Sequence, residues 1–172
     1  MTSTKPIIQL ATLDDHEAVA HLHFLSHTVS FAPFASEQWL NSRRLDDYLS
    51  RWRKTLSSAA GGESTLIARI PGVVVGMVRV ARSNGPASGS GPVTAELTGM
   101  HVSPDLTGRG IGKLLMQRSL DFIHEQNFSR VVLGVIAANT GARRFYELHG
   151  WVLVEEHPDG VEGVPVVVYE LA

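Results

Sequence analysis

Hydrophobic and polar positions follow two periods along this chain, and the switches between them mark out its elements. Ile7 to Leu10, after Pro6, is a short apolar run that reads as a first strand. Thr12-Leu13-Asp14-Asp15 fits a capping box with acids in the first turn. Ala18, Val19, Leu22, Leu25, Ser26 and Val29 then recur at helical spacing and predict a helix from about 14 to 29 with that stripe buried. Phe31-Ala32-Pro33-Phe34 breaks it. Ser36 is placed to cap a second helix, in which Leu45, Tyr48, Leu49, Trp52 and Leu56 form a clean apolar stripe. Arg43, Arg44, Arg51, Arg53 and Lys54 fall on its other faces and read as a solvated surface or as a basic stripe for an acidic partner. Small residues from Ser57 to Gly62 end it.

The period then shortens. Thr65 to Ile70, the turn Pro71-Gly72, and Val73 to Arg82 predict a hairpin. Asn84 to Pro92, NGPASGSGP, reads as a flexible flap, and Ala95 to Val102 returns as a strand that completes an antiparallel meander. A helix from about 109 to 126 follows, with Ile111, Leu114, Leu115, Ser119, Phe122 and Ile123 inward. Val131 to Ala137 is apolar throughout, as expected of a central strand covered on both faces. It is joined to strand four through a helix, so strands four and five should run parallel. Asn139 to Leu148 predicts a short helix ended by Gly150, and Trp151 to Glu155 with Val164 to Leu171 a final antiparallel pair. The expectation is a mixed α/β fold: about seven mainly antiparallel strands, a central parallel pair and four helices, as a single domain over residues 1–172.

Composition narrows the functions available. A chain of 172 residues with 44% hydrophobic content suits one core. A net charge of −2 gives no electrostatic case for nucleic acid or an anionic membrane. The absence of cysteine removes disulfides, thiolate metal sites and a cysteine nucleophile together. The N-terminal stretch has no signal-peptide core and no apolar run approaches a membrane span, so a soluble cytoplasmic protein is expected.

The candidate chemistry centres on Gly99 to Gly112, GMHVSPDLTGRGIG, where a strand ends, turns, and enters a helix through glycines 108, 110 and 112. Helix N-terminal N–H groups lack intrahelical partners and carry partial positive charge, and Arg109 and Lys113 add two full charges, so a diphosphate suits the site. The P-loop pattern fails: Thr107 stands where its first glycine belongs and Leu114 follows Gly112-Lys113. The dinucleotide fingerprint fails on glycine spacing and on its distal acid. Some thirty residues on lies Asn139-Thr140-Gly141-Ala142-Arg143-Arg144-Phe145-Tyr146-Glu147-Leu148-His149-Gly150-Trp151.

This second segment resembles the N-x-x-A-x-x-F-Y-x-x-x-G-F stretch of the GNAT superfamily of acyl-CoA-dependent N-acyltransferases, with Trp151 for the last Phe. The first resembles that family's coenzyme A loop, Q/R-x-x-G-x-G/A, with Thr107 in the Gln/Arg position. The resemblance implies acetyl-CoA as co-substrate and a small-molecule or peptide amine as acceptor. Gly108, Arg109, Gly110, Ile111, Gly112 and Lys113 would hold the diphosphate. The backbone of Met100, His101 and Val102 would pair with the pantetheine arm beside a bulge at Gly99, where strands four and five separate. Asn139 and Ala142 would flank that arm. Tyr146 matches the family's general acid to the departing thiolate, or only shapes the pocket; Arg143 and Arg144 reach phosphate oxygens or lie in solvent. Glu96 is the candidate base, against an edge carboxylate facing water.

The acceptor side is less determined. Phe31 and Phe34 either cap the core or line the pocket that the family builds between its first helices. Glu155 and Glu156 begin an acidic hairpin loop reaching Glu162, which either favours a cationic amine or is ordinary solvated surface. His23 and His27 share a helix face at i, i+4, but no third ligand is indicated and no metal is expected. His101 and His157 are alternative bases if they face the cleft. A homodimer is compatible with the family, and a catalytically silent acyl-CoA-binding module is the competing reading.

Overall fold

The computed structural model describes residues 5–58, 61–83, 93–161 and 163–172. The chain runs β1 (Ile7–Leu10), α1 (His16–Phe31), α2 (Glu37–Ser42), α3 (Leu45–Ser57), β2 (Ser64–Ile70), β3 (Val73–Arg82), β4 (Thr94–Val102), α4 (Ile111–Glu125), β5 (Arg130–Ile136), α5 (Thr140–Leu148), β6 (Trp151–Val161) and β7 (Val164–Leu171). The strands form one sheet in the order β1-β2-β3-β4-β5-β7-β6. The β4–β5 pairing is parallel and the others described are antiparallel, as the strand-helix-strand pattern requires. The flap expected at 84–92 lies outside the described residues.

Alternation along the central strands divides the core between the two faces of the sheet. Leu66, Ala68, Val78 and Val80 pack with Leu115, Met116 and Ile123 of α4, while Ile67, Val74 and Met77 pack with Val19 and Leu22 of α1 and Trp52 of α3. Gly76 lets α4 sit close on β3: a Cβ there would lie 2.8 Å from Leu115 Cδ1. At the start of the chain Asp15 Oδ2 accepts from Thr12 N–H at 2.9 Å, and Asp15 also pairs with Arg69 of β2.

Four expectations are corrected. The second helix is two, because Arg43 and Arg44 are extended (ψ 136° and 130°) and break it after Ser42. In α1 the buried positions are Val19, Ala20, Leu22, His23 and Ser26, whereas Leu25 and Val29 are half exposed. A histidine takes an inward place there because α3 supplies it a hydrogen bond. Strand β5 is buried at Leu133 and Ile136 but open at Gly134, since that part of its surface borders a cleft. Finally, β6 continues as a strand through Glu155, Glu156 and His157, paired with β7, so those residues are not in a loop.

Candidate active site

The parallel pairing between β4 and β5 runs from Thr94↔Arg130 to Leu97↔Leu133 and stops. Beyond Leu97 the register of β4 against β3 also slips, from Arg79↔Thr98 to Met77↔His101, so one extra residue is accommodated around Gly99 and Met100. Gly99 has φ +54°, the left-handed region where a glycine is least strained. The bulge predicted at this glycine is present. Past Leu97, β4 stays paired with β3 but not with β5, so on the β5 side Met100, His101 and Val102 border a cleft.

Two cavities meet at this opening. One, of about 580 Å³, runs from Met100, His101 and Val102 past Gly108, Gly110, Ile111, Gly112 and Lys113 to Tyr146. The other, of about 420 Å³, is bounded by Glu96, Gly134 and Asn139 on one side and by His23, His27 and Phe31 on the other. Ser30, Met100, His101 and Tyr146 border both. A molecule in the first can therefore present a reactive group to one in the second at the junction.

The first cavity has the chemistry of an anion cradle at one end. Gly108 and Gly110 have φ +74° and +81°, with open space where a Cβ would stand. The first helical bond of α4 runs from Leu114 N–H to Gly110 O at 3.1 Å, so the N–H groups of Ile111, Gly112 and Lys113 have no helical partner. Thr107 Oγ1 donates to Pro104 O at 3.1 Å and closes the turn before the cradle, a local role that a longer Gln or Arg would not fill. Arg109 and Lys113 are exposed at the rim.

At the junction, Tyr146 lies with its hydroxyl 4.0 Å from Met100 Sδ, and burial raises its pKa to about 12. Glu96 sits between the buried Ala95 and Leu97, so alternation turns its carboxyl to the opposite face, where burial raises its pKa above the ordinary carboxylate value. Asn139 caps α5: its Oδ1 accepts from Ala142 N–H at 3.1 Å, which commits that amide and leaves the Asn139 Nδ2 donors for other partners. Arg143 bonds Tyr169 Oη and Ala137 O, both at 3.0 Å, so it is a brace between α5 and the sheet, not a phosphate ligand. Arg144 is exposed.

The wall of the second cavity holds the features that sequence reasoning missed. His23, His27 and His101 cluster with ring centroids 4.9, 5.3 and 5.8 Å apart. Trp52 Nε1–H donates to His23 Nδ1 at 3.0 Å, and His27 Nδ1 lies 2.9 Å from Tyr48 Oη. Arg43, expected on a solvated face, turns inward from the break between α2 and α3. It donates to Tyr48 Oη from Nη2 at 2.6 Å and from Nε at 3.2 Å, and also to Thr28 Oγ1 and Phe24 O. Its guanidinium lies over the rings of Phe24, Trp39 and Tyr48. Burial first, and neighbouring charge second, lowers the pKa of His23 to about 2, of His27 to about 4 and of His101 to about 3. The i, i+4 spacing of Tyr48 and Trp52 on α3, matching that of His23 and His27 on α1, was the sequence signal for this contact.

Of the other candidates, Phe31 borders the second cavity and stacks on Trp39 at 5.2 Å, whereas Phe34 is outside its lining. Glu155 and Glu156 are exposed on β6 and also outside it. His157 pairs with Glu155 at 3.4 Å beside a separate hollow on the hairpin, which removes it as a cleft base. No group of three or more His, Asp or Glu among the described residues is arranged to hold a metal ion. No helix among them is long and apolar enough to cross a membrane.

A parallel pair that separates beside the N-terminus of the following helix is the arrangement that the GNAT resemblance implies. The sequence profile of the Acetyltransferase (GNAT) family matches residues 13–151, and the chain belongs to that family. It is 36% identical over 98 residues to N-acetylaspartate synthetase of Danio rerio, covering 57% of this chain and 33% of that protein. It is 38% identical over 64 residues to mycothiol acetyltransferase of Beutenbergia cavernae, covering 37% and 22%. The matched segments thus span a third or less of those relatives. Among solved structures, PaiA N-acetyltransferase of Thermoplasma acidophilum in complex with coenzyme A superposes with TM-score 0.75 at 18% identity, covering 96% of this chain and 98% of that one. The yncA protein of Salmonella typhimurium with acetyl-CoA gives 0.74 at 19%, covering 96% and 92%. These two show that the fold is shared.

Proposed function

We propose that this protein transfers the acetyl group of acetyl-CoA to a primary amine by direct attack, through a tetrahedral intermediate that expels the CoA thiolate. The observation that carries the reading is the meeting of the two cavities where β4 leaves β5, with Glu96 bordering one and Tyr146 both. The diphosphate lies against the N–H groups of Ile111, Gly112 and Lys113, reached through Gly108 and Gly110, with Arg109 and Lys113 adding charge. The pantetheine arm lies along the edge of β4 from Met100 to Val102 that β5 leaves, where Val102 O already accepts from Ser26 Oγ at 3.3 Å, and passes Asn139; Ala142 contributes packing, its amide being committed. A main-chain N–H near Met100 polarises the thioester carbonyl as charge builds on its oxygen.

Two proton transfers remain. An alkylamine of pKa near ~10.4 is roughly 0.04% neutral at pH 7, a cost of about 4.6 kcal/mol. Glu96 accepts that proton, directly or through one water, and burial, by raising its pKa, makes it a stronger base. Tyr146, with a pKa of about 12, stays protonated and donates a hydrogen bond to the sulfur as it gains charge. Complete transfer to a thiolate of ordinary pKa ~8.5 would be uphill by about 5 kcal/mol, so stabilisation by the bond comes before any proton leaves.

The relatives' names widen the acceptors to be tried: N-acetylaspartate synthetase is named for an acylated amino acid, and mycothiol acetyltransferase for a thiol. The test is release of free CoA thiol from acetyl-CoA across amino acids, polyamines and aminoglycosides. Turnover with any amine, lost on replacing Glu96 by Gln, is the expected result. CoA binding without turnover across the panel would favour a silent binding module.

A further inference from the structure

We infer that the amine acceptor of this protein carries a carboxylate, and that His27, with His101 beside it, receives that carboxylate as N–H donors in the second cavity. The inference rests on the acetyl-transfer reading for which molecule occupies the cavity, but not for the chemistry of the wall. That chemistry follows from hydrogen-bond directions. Arg43 donates twice to Tyr48 Oη, so the phenolic O–H is itself free to donate, and His27 Nδ1 at 2.9 Å receives it. Trp52 Nε1–H fills His23 Nδ1 in the same way. Both imidazoles are thereby fixed as the tautomer with the proton on Nε2. His23, His27 and His101 border the second cavity, and the hydrogen bonds of His23 and His27 are all at Nδ1, which leaves their Nε2–H groups for a molecule in it.

The charge behind this wall has one sign. Arg43 lies 3.4 Å from His27 Nδ1 and forms no ion pair with any described residue, and Arg51 stands over the Tyr48 ring. The acid bordering the cavity is Glu96, on β4 across from α1. A second ammonium, as on a polyamine, would meet N–H donors with guanidinium charge behind them. A zwitterion would set its ammonium toward Glu96 and its carboxylate toward His27. The acidic residues Glu155 and Glu156 stay outside this cavity and do not offset the arginines there.

The experiment measures kcat/KM at saturating acetyl-CoA for L-alanine, L-glutamate and L-phenylalanine, each against its α-carboxamide, with spermidine as the cationic acceptor. For the best pair the carboxylate form should be preferred by about tenfold or more, through KM, as expected of hydrogen bonds to a charged group. Reactivity opposes this, because a carboxylate holds its neighbouring ammonium protonated more firmly than a carboxamide does. His27→Leu, which leaves no N–H donor, should bring the ratio to within about threefold, and Tyr48→Phe, removing the O–H donor to His27 Nδ1 together with the acceptor for Arg43, should lower it part of the way. Equal or better turnover of the carboxamides or of spermidine overturns the inference. The same compounds are titrated while histidine ring nitrogens are followed by NMR. A His27 shift with the amino acids and not the carboxamides, in the absence of turnover, keeps the carboxylate subsite and refutes acetyl transfer; no shift at tens of millimolar overturns the subsite even if amines are acetylated.

Discussion

Glu96 and Tyr146 are both partly buried polar groups whose neutral forms the protein favours, and the proposed reaction gives them different work. Burial without a compensating cation raises the Glu96 pKa, so the folded state holds its proton to higher pH than the unfolded chain does. Stability therefore falls as pH rises from the ordinary carboxylate value through the folded one, and the ionised carboxylate is a cost at neutral pH. Glu96→Gln should leave the melting temperature at pH 7.5 unchanged or higher while lowering kcat/KM by about 10²- to 10³-fold, an effect of the size general bases supply. A lower melting temperature with intact turnover would make Glu96 structural. Tyr146→Phe removes one hydroxyl from a partly buried ring and should lower kcat by about tenfold or more, with acetyl-CoA affinity within about twofold. Calorimetric titration with CoA beside steady-state kinetics checks both.

Two elements set the geometry between which those side chains act. The helix α4 is anchored on β3 by the close approach at Gly76, so its N-terminus is held at a fixed distance from the mouth of the cleft. Gly110, at φ +81°, is the residue from which the helix starts. Gly110→Val should cost about 1–2 kcal/mol of stability from the left-handed backbone and weaken CoA binding by about tenfold or more as the branched side chain crowds the amides. Unchanged affinity would separate the loop from the diphosphate. The second element is the break between α2 and α3. A continuous helix would keep Arg43 on the surface; the extended residues 43 and 44 send it back to Tyr48, Thr28 and Phe24.

Across the whole molecule, neutral imidazoles tie stability to pH. His23 and His101 remain uncharged in the fold far below pH 6.5, whereas in the unfolded chain they bind protons near it. The unfolded state then binds more protons, so stability is complete above the unfolded pKa and is lost as pH falls below it. Each such imidazole removes about 2 kcal/mol between pH 7 and pH 5. Denaturant unfolding at the two pH values should show a loss of several kcal/mol, and His23→Gln, which retains an acceptor for Trp52 Nε1–H, should reduce it by about 2 kcal/mol. A pH-independent midpoint would mean that these rings are solvated.

The order of elements, the parallel pair, the bulge at Gly99 and the glycine-rich helix entry were legible in the sequence because each rests on a local rule: residue periodicity, connection length, or a glycine where φ must be positive. The break at Arg43 and Arg44 had no such signature, since no proline or glycine marks it and the apolar stripe begins only at Leu45. The inward turn of His23 defied its polarity because Trp52, 29 residues away, supplies the bond that makes burial tolerable. Strand propensity around Glu155 and Glu156 was hidden by their charge until β7 offered a pairing partner. Local chemistry wrote the scaffold and the glycine-rich entry to α4 into the sequence. The histidine wall of the second cavity forms only where α1, α3 and β4 converge, because hydrogen bonds between residues distant in the chain decide which side chains are buried, which are neutral and which proton each presents.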